Sequence, residues 1–123
     1  MQLASIRIIT RDVERLSAFY ERVTQRTASR PAPVFAEIRT DRATLAIGDV
    51  TTVAMLGDAA VAPARTSGVV IEFEVDDVDE EFARLDPDAA AVVLAPATMP
   101  WGNRSAVVRD PDGNLVNLFA RPA

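Results

Sequence analysis

The sequence predicts an α+β fold in which a strand, a helix and three further strands occur twice in one domain. Its 123 residues match the size of a single domain, and 49% of them are hydrophobic, which is enough for a core. The tripeptide Asp-Val-Glu at 12–14 recurs as Asp-Val-Asp at 77–79, each time directly after a predicted strand and at the start of a predicted helix. A repeat of about half the chain is typical of two fused modules. We assign module one to residues 1–57, a linker to 58–67 and module two to 68–123.

Module one begins with a strand over residues 3–9, where apolar side chains alternate with polar ones. Asp12 is placed to cap a helix over 13–23, whose apolar residues recur at helical spacing. A short turn at Gly48-Asp49 separates the last two strands of the module. The three strands that follow the helix are predicted at residues 34–40, 43–47 and 51–56.

Module two repeats this order. A strand over 68–75 precedes Asp77, which has Glu80 three residues later and so fits the start of a helix over 78–85. The three strands after this helix are predicted at residues 90–95, 104–109 and 115–119. Between the last two, residues 110–114 read Asp-Pro-Asp-Gly-Asn, which is typical of a tight turn, and we expect Asp112-Gly113 to be structural.

The composition excludes several kinds of site. The net charge of −5 does not favour a nucleic-acid partner. No apolar run is long enough to cross a membrane and no signal peptide is evident, so we expect a cytoplasmic protein. The sequence has no cysteine and no histidine, and all 13 basic residues are arginine. An enzyme built from it would have to use carboxylates, hydroxyls, arginines, backbone groups or a cofactor.

Three stretches resemble the signature regions of the vicinal oxygen chelate superfamily, which includes glyoxalase I, extradiol dioxygenases and the bleomycin- and mitomycin-binding resistance proteins. They are SIRIITRDVERLSAFYERV at 5–23, VVIEFEVDDVDEEFARL at 69–85 and WGNRSAVVRDPDGNLVNLF at 101–119. The resemblance implies two βαβββ modules whose mixed sheets form a cup, with the helices on its convex side. It also implies a homodimer in which modules from two chains complete each cup.

The resemblance also indicates where catalytic relatives hold a metal ion. Their ligands lie on four strands that face into the cup, at positions that correspond here to Ser5, Ala46, Val70 and Asn117. Alanine and valine have no donor atom, and serine and asparagine are neutral, weak ligands. We therefore expect no metal, no cofactor and no catalytic residue of the metal-dependent kind, and the prediction favours a protein that is not an enzyme.

The strand face that contains those four positions also carries charge. Ser5 shares it with Arg7 on the first strand, while Glu72 and Glu74 share it with Val70 on the fifth. Carboxylates on an enclosed sheet face need a partner or a proton. In one interpretation Arg7 and Glu72 form an ion pair and Glu74 faces solvent. In the other, Glu72 or Glu74 recognises a cationic or hydrogen-bond-donating ligand.

The single tryptophan, Trp101, lies in a loop before the seventh strand. It is suited to stacking on a flat ligand, or alternatively it packs on its own loop or forms a dimer contact. The predicted function is metal-independent binding of an antibiotic-like, flat or cationic small molecule. The alternatives are a glyoxalase- or dioxygenase-like lyase or oxidoreductase, and a module that serves only as an interaction partner. The predicted ligand-binding residues are Ser5, Arg7, Glu72, Glu74, Trp101 and Asn117.

Overall fold

The computed structural model describes residues 3–54 and 69–123. The chain divides into two compact units, Met1–Ala64 and Arg65–Ala123. The predicted linker at 58–67 lies outside the described residues. No helix in the described part of the chain is long and apolar enough to cross a membrane.

The first unit is one four-stranded sheet with a helix packed on one side. Strand order is β1-β4-β3-β2, with β1 parallel to β4 and the other neighbours antiparallel. Helix α1 contacts β3 and β4. The elements are β1 (Ser5–Thr10), α1 (Val13–Thr24), β2 (Ser29–Ala32), β3 (Phe35–Arg39), β4 (Thr44–Asp49) and the short helix α2 (Thr51–Ala54).

Helix α1 forms as its sequence predicts. The Asp12 carboxylate accepts a hydrogen bond from the Arg15 backbone N–H at 3.0 Å, which satisfies one of the free donors of the first turn. The helix ends at Gln25, which adopts a left-handed conformation with φ of 53°. Its buried stripe faces the sheet and consists of Val13, Leu16, Ser17, Tyr20 and Val23.

Two predictions for module one are wrong. Thr51–Ala54 is helix α2, where a strand over 51–56 was predicted, and residues 55–56 lie outside the described range. The chain turns here because the Asp49 carboxylate accepts from the Thr51 N–H at 2.9 Å and Thr52 Oγ1 donates to the Asp49 carbonyl at 2.7 Å. The predicted turn at Gly48-Asp49 is the end of β4 instead.

Strand β2 was missed by the sequence analysis. Its sequence is Ser-Arg-Pro-Ala, which has no apolar alternation and contains Pro31. It lies at the edge of the sheet, where a proline without an N–H is tolerated. Arg30 of β2 forms two hydrogen bonds with the Glu14 carboxylate of α1, at 3.0 and 3.3 Å, so the edge strand is tied to the helix.

The second unit repeats the βαβββ topology. Its strand order is β5-β8-β7-β6, again with the first and last strands parallel and the others antiparallel. Helix α3 contacts β6, β7 and β8. The elements are β5 (Val70–Glu74), α3 (Val78–Leu85), β6 (Val92–Thr98), β7 (Arg104–Arg109) and β8 (Leu115–Ala120), with a single 3-10 turn at Ala89–Ala91 before β6. The repeated topology confirms the predicted α+β fold class.

Helix α3 has the same kind of cap as α1. The Asp77 carboxylate accepts from the Glu80 N–H at 3.0 Å. In its first turn, Asp79 accepts two hydrogen bonds from the Arg104 guanidinium of β7, at 2.9 and 2.8 Å. These bonds lower the pKa of the Asp79 carboxyl. As in the first unit, an arginine of the sheet is joined to an acidic residue at the start of the helix.

The turn between β7 and β8 is built around a buried carboxylate. Asp110 is 4% exposed and accepts from the backbone N–H groups of Asp112 at 2.9 Å and Asn114 at 2.8 Å, and from Asn114 Nδ2 at 2.6 Å. Gly113 has a φ of +90°, which favours glycine. The turn is structural as predicted, but Asp110 rather than Asp112 supplies the carboxylate that holds it.

Candidate functional site

Each sheet has one face covered by its helix and one face turned away from it, which we call the open face. On β1, Ile8 and Thr10 are buried and Ile9 is half-buried, whereas Ser5, Ile6 and Arg7 are all exposed. Strand alternation places Ser5 and Arg7 on the face opposite to Ile8 and Thr10, as predicted. The strand register then brings further residues to the same face.

The register defines one row across each open face. In the first sheet, Arg7 is paired with Ala46, and Ala46 with Glu37. In the second sheet, Glu72 is paired with Asn117, and Asn117 with Val107. We call these the first row and the second row.

The second row contains a direct contact between two of the predicted residues. Asn117 Nδ2 donates a hydrogen bond to Glu72 Oε2 at 2.9 Å. An aspartate or glutamate at 117 would instead place a like charge directly opposite Glu72. Asn117 Oδ1 is buried and has no hydrogen-bond partner in the described part of the chain. The amide thus orients the carboxylate and keeps an unused acceptor beside it.

Glu74 has a cationic partner that the sequence analysis missed. Arg121 Nε donates to Glu74 Oε1 at 2.9 Å, and the Arg121 guanidinium lies 5.7 Å from the centre of the Phe119 ring. Arg121 follows the last strand, so strand alternation gave no reason to select it. Glu72 forms no ion pair with the described residues of its own unit. The two carboxylates of β5 therefore differ, since only Glu74 is paired with a cation there.

Arg7 lies across a glycine of the neighbouring strand. A Cβ added at Gly48 would be 3.2 Å from Arg7 Cδ and 3.6 Å from Phe35 Cδ2, which puts the stem of Arg7 and the edge of Phe35 over this glycine. The side chain of Arg7 makes no hydrogen bond or ion pair with the described residues of its own unit. Arg7 and Glu72 belong to different units, and an ion pair between them stays a prediction.

Glu37 is a further charged residue that the sequence analysis did not select. It lies in the first row, its side chain is 21% exposed, and its carboxylate is 3.7 Å from Arg39 Nη2. The signal was present in the sequence, because Ala36 and Ile38 alternate with Glu37 and are fully buried. Their burial assigns Glu37 to the opposite, open face.

Trp101 lies in a loop that two backbone hydrogen bonds close. Backbone bonds from Met99 N–H to the Asn103 carbonyl, at 2.7 Å, and from Gly102 N–H to the Met99 carbonyl, at 2.9 Å, close the loop. The Trp101 side chain is 69% exposed. This exposure does not fit the alternative in which Trp101 packs on its own loop. A role in ligand stacking or a dimer contact stays a prediction.

The residues at the four metal-ligand positions do not fit a divalent metal ion. Ala46 and Val70 have no donor atom, and Ser5 is a neutral hydroxyl. The fourth residue, Asn117, uses its amide nitrogen to bind Glu72 and offers only one neutral oxygen. Within residues 3–54 and 69–123, no group of three or more acidic residues is arranged to hold a metal.

Solved structures with the same fold share little sequence with this chain. A glyoxalase/bleomycin resistance protein/dioxygenase family enzyme from Burkholderia phytofirmans PsJN superposes with a TM-score of 0.82 and 22% identity, covering 95% of this chain and 96% of that one. A glyoxalase/bleomycin resistance protein/dioxygenase from Nocardioides gives a TM-score of 0.79 and 23% identity, over 99% and 84% of the two chains. A lactoylglutathione lyase from Agrobacterium tumefaciens gives 0.71 and 24%, over 97% and 92%. At these identities the likeness concerns the fold.

Sequence comparison assigns the family. A search of curated proteins finds no significant match. The model of the Glyoxalase/Bleomycin resistance protein/Dioxygenase superfamily, in contrast, matches residues 2–118, which is nearly the whole chain. With the repeated βαβββ topology, this match shows that the chain belongs to the glyoxalase/bleomycin resistance protein/dioxygenase superfamily.

Proposed function

We propose that this chain is a metal-independent small-molecule-binding protein of the glyoxalase/bleomycin-resistance type. It sequesters an antibiotic-like ligand that is flat or cationic, and it does not turn the ligand over. The observation that carries this proposal is the hydrogen bond between Asn117 and Glu72 in the second row. An oriented carboxylate occupies the open face where catalytic relatives of the family would need a metal ligand at 117.

Glu72 is suited to bind a cationic hydrogen-bond donor. Asn117 occupies Oε2, which fixes the orientation of the carboxylate, and Oε1 has no donor within the described part of its unit. An amidinium, guanidinium or ammonium group would form a charge-assisted hydrogen bond there. Apolar side chains on the same face suit a flat ligand body. They are Val70, Val107, Leu115 and Phe119, and the face also carries Ser105 and Arg109.

The residue types favour binding over catalysis. The sequence contains no histidine, cysteine or lysine, so the usual general bases and nucleophiles are missing. Glu72 and Glu74 are two carboxylates on one strand, but general acid–base catalysis needs environments that drive their pKa values apart. Each carboxylate instead accepts a hydrogen bond from a neighbouring side chain, Glu72 from Asn117 and Glu74 from Arg121.

The proposal includes a homodimer in which modules of two chains complete each cup, as the family resemblance implies. Strands β1 and β5 are edge strands of their own sheets, and apolar side chains on or next to them are exposed. These side chains are Ile6, Val69 and Val70. Sedimentation equilibrium tests this part, and a monomer at micromolar concentration would contradict it.

The binding proposal is tested by calorimetric titration with bleomycin, mitomycin and benzamidine, a small planar cation. We expect saturable binding of at least one of these compounds that is unchanged by EDTA. Glu72→Gln is expected to weaken it at least about tenfold, because the charged acceptor is lost. Glu80→Gln is the matched control, since it removes the same charge from the exposed surface of α3. Absence of saturable binding for all three compounds would contradict the proposal.

A second candidate is a glyoxalase- or dioxygenase-like enzyme that works through its carboxylates. It is favoured by the fold it shares with the lactoylglutathione lyase from Agrobacterium tumefaciens. Turnover of lactoylglutathione that Glu72→Gln abolishes would support it. So would one equivalent of a divalent ion that remains bound through purification. Either result would overturn the metal-independent binding function.

A further inference from the structure

We propose that the open face of the first sheet holds an anion-binding site, in which Arg7 binds the carboxylate or phosphate group of a small molecule. This site goes beyond the proposed function, which depends on Glu72 in the other unit. Three observations support this proposal: the position of the Arg7 stem beside Gly48, the charges on the open face, and the absence of a counter-ion for Arg7 within the described residues of its unit.

The stem of Arg7 lies beside Gly48, although the residue as a whole is exposed. A Cβ at Gly48 would be 3.2 Å from Arg7 Cδ, and it would also be 3.6 Å from Phe35 Cδ2 and 2.7 Å from Thr52 Oγ1. Thr52 is itself fixed, because its hydroxyl donates to the Asp49 carbonyl at 2.7 Å. Because Gly48 has no side chain, it leaves room for the stem of Arg7 beside it.

The charges of this open face favour an anion. The charged strand residues on it are Arg7, Glu37 and Arg39, which are two cations and one anion. Glu37 is the acidic residue in the first row, and Arg39 Nη2 lies 3.7 Å from its carboxylate. Ala46, which has the smallest side chain with a Cβ, separates Glu37 from Arg7. Arg7 is thus the cation of this face whose charge is not balanced by a neighbour in its unit.

The guanidinium geometry suggests the kind of ligand. A planar guanidinium binds a carboxylate or phosphate through two parallel hydrogen bonds. Two neighbouring side chains provide apolar surface for a planar ligand body. They are Phe35, which lies beside the Arg7 stem, and Ile9, which is paired with Gly48. An aromatic carboxylate combines both features, and benzoate is the smallest probe of this kind. A weak, millimolar dissociation constant is expected for so few atoms.

The experiment is a titration of the full chain with benzoate, followed by calorimetry and by amide chemical shifts. Benzamide, the neutral analogue of the same shape, is the ligand control. We expect saturable binding of benzoate and binding of benzamide that is weaker by at least about tenfold. Arg7→Gln is expected to weaken benzoate about tenfold or more, whereas Arg15→Gln, which removes the same charge from the exposed side of α1, leaves it unchanged. Inorganic phosphate as a competitor distinguishes a general anion site from one that needs the ring.

Several results would overturn the inference. The first is that the wild type shows no saturable binding of benzoate. The second is that the wild type and Arg7→Gln bind benzoate with equal affinity. The third is that benzoate binds only to Glu72→Gln. The last result would mean that Glu72 is the counter-ion of Arg7. Arg7→Lys adds a test of geometry, because it keeps the charge but loses the two-bond contact. Benzamidine binding depends on Glu72 and benzoate binding on Arg7, so failure of one proposal is visible separately from failure of the other.

Discussion

The two units have the same topology but opposite charges at one matching position of their open faces. The third described residue of β1 is Arg7, and the third residue of β5 is Glu72. Each is paired through the register with a residue of the parallel neighbour strand, Ala46 in the first row and Asn117 in the second. The repeat therefore fixes where these side chains lie on each open face. It does not fix the charge at this position, although Arg39 and Arg109, at the matching ends of β3 and β7, carry the same charge in both units.

The elements that determine the topology are, in contrast, closely matched. Asp12 and Asp77 cap α1 and α3 with hydrogen bonds of the same length, 3.0 Å, to the third residue of each helix. Gln25 and Asp86 end these helices in the same left-handed conformation. The caps and helix ends therefore match between the two units, whereas the charged residues in the two rows differ.

The largest expected difference between the units concerns their helices. Leu16 of α1 is fully buried, whereas Phe82 of α3 is only half-buried. Leu16→Ala should lower the free energy of unfolding by about 3 kcal/mol, because it leaves a cavity that the packed sheet cannot fill. Phe82→Ala should cost about half as much. Urea denaturation measures both, and equal losses would show that exposure does not rank the two helices.

A smaller difference is expected between the matching turns. Asp110 in the β7–β8 turn is buried and accepts three hydrogen bonds, so Asp110→Ala should cost about 2 kcal/mol. In the β3–β4 turn the Thr40 hydroxyl is exposed, donates to the Ala43 carbonyl at 2.8 Å and accepts from its N–H at 3.3 Å. Thr40→Ala should cost about 0.5 kcal/mol. Guanidinium denaturation of both variants tests this order, with exposed Asp112→Ala as the control.

Asn117→Asp replaces the hydrogen bond of the second row with repulsion between two carboxylates. The new carboxylate would lie directly opposite Glu72, and the repulsion should cost about 1 kcal/mol at pH 7. Leucine at 117 removes the amide without adding a charge and so separates repulsion from loss of the hydrogen bond. Thermal unfolding at pH 7 and at about pH 4, where carboxyls begin to gain protons, is the measurement. A loss for Asn117→Asp that does not shrink at the lower pH would contradict the repulsion.

The smallest effect is expected for the pair that joins α3 to the sheet. Arg104 lowers the pKa of Asp79, so the folded state binds a proton less readily than the unfolded state. The pair therefore stabilises the fold above the unfolded pKa of about 4 and loses this effect as pH falls through the folded pKa. Arg104→Gln should be slightly less stable than wild type at pH 7 and equally stable in strong acid. The matching variant in the first unit is Arg30→Gln, which removes the hydrogen bond between Arg30 and Glu14.

Local signals account for what the sequence predicted well. Both helices have an aspartate cap followed by apolar residues at helical spacing, and the alternation on β1 agrees with the face predicted for Arg7. Strand β2 could not be predicted in this way, because an edge strand with a proline is specified by its neighbour rather than by its own pattern. Helix α2 depends on hydrogen bonds to Asp49 that compete with a strand-like sequence.

Local sequence signals predict only part of the candidate site as well. Glu37 was available from alternation in its strand, but the contact between Asn117 and Glu72 depends on the register of two strands that are 45 residues apart at this point. Arg121 follows the last strand and meets Glu74 only because β5 and β8 are parallel neighbours. Pairings between distant segments are set by packing of the whole unit, which no single segment encodes.

The hydrogen bond between Arg121 and Glu74 has a consequence for the design of truncated variants. Shortening the protein after Phe119 would delete this guanidinium, along with its contact to the aromatic ring. The second open face would then carry Glu72 and Glu74 without Arg121 to offset their charge. A shortened chain would thus have a more negative open face, while the strands, which end at Ala120, would be nearly intact.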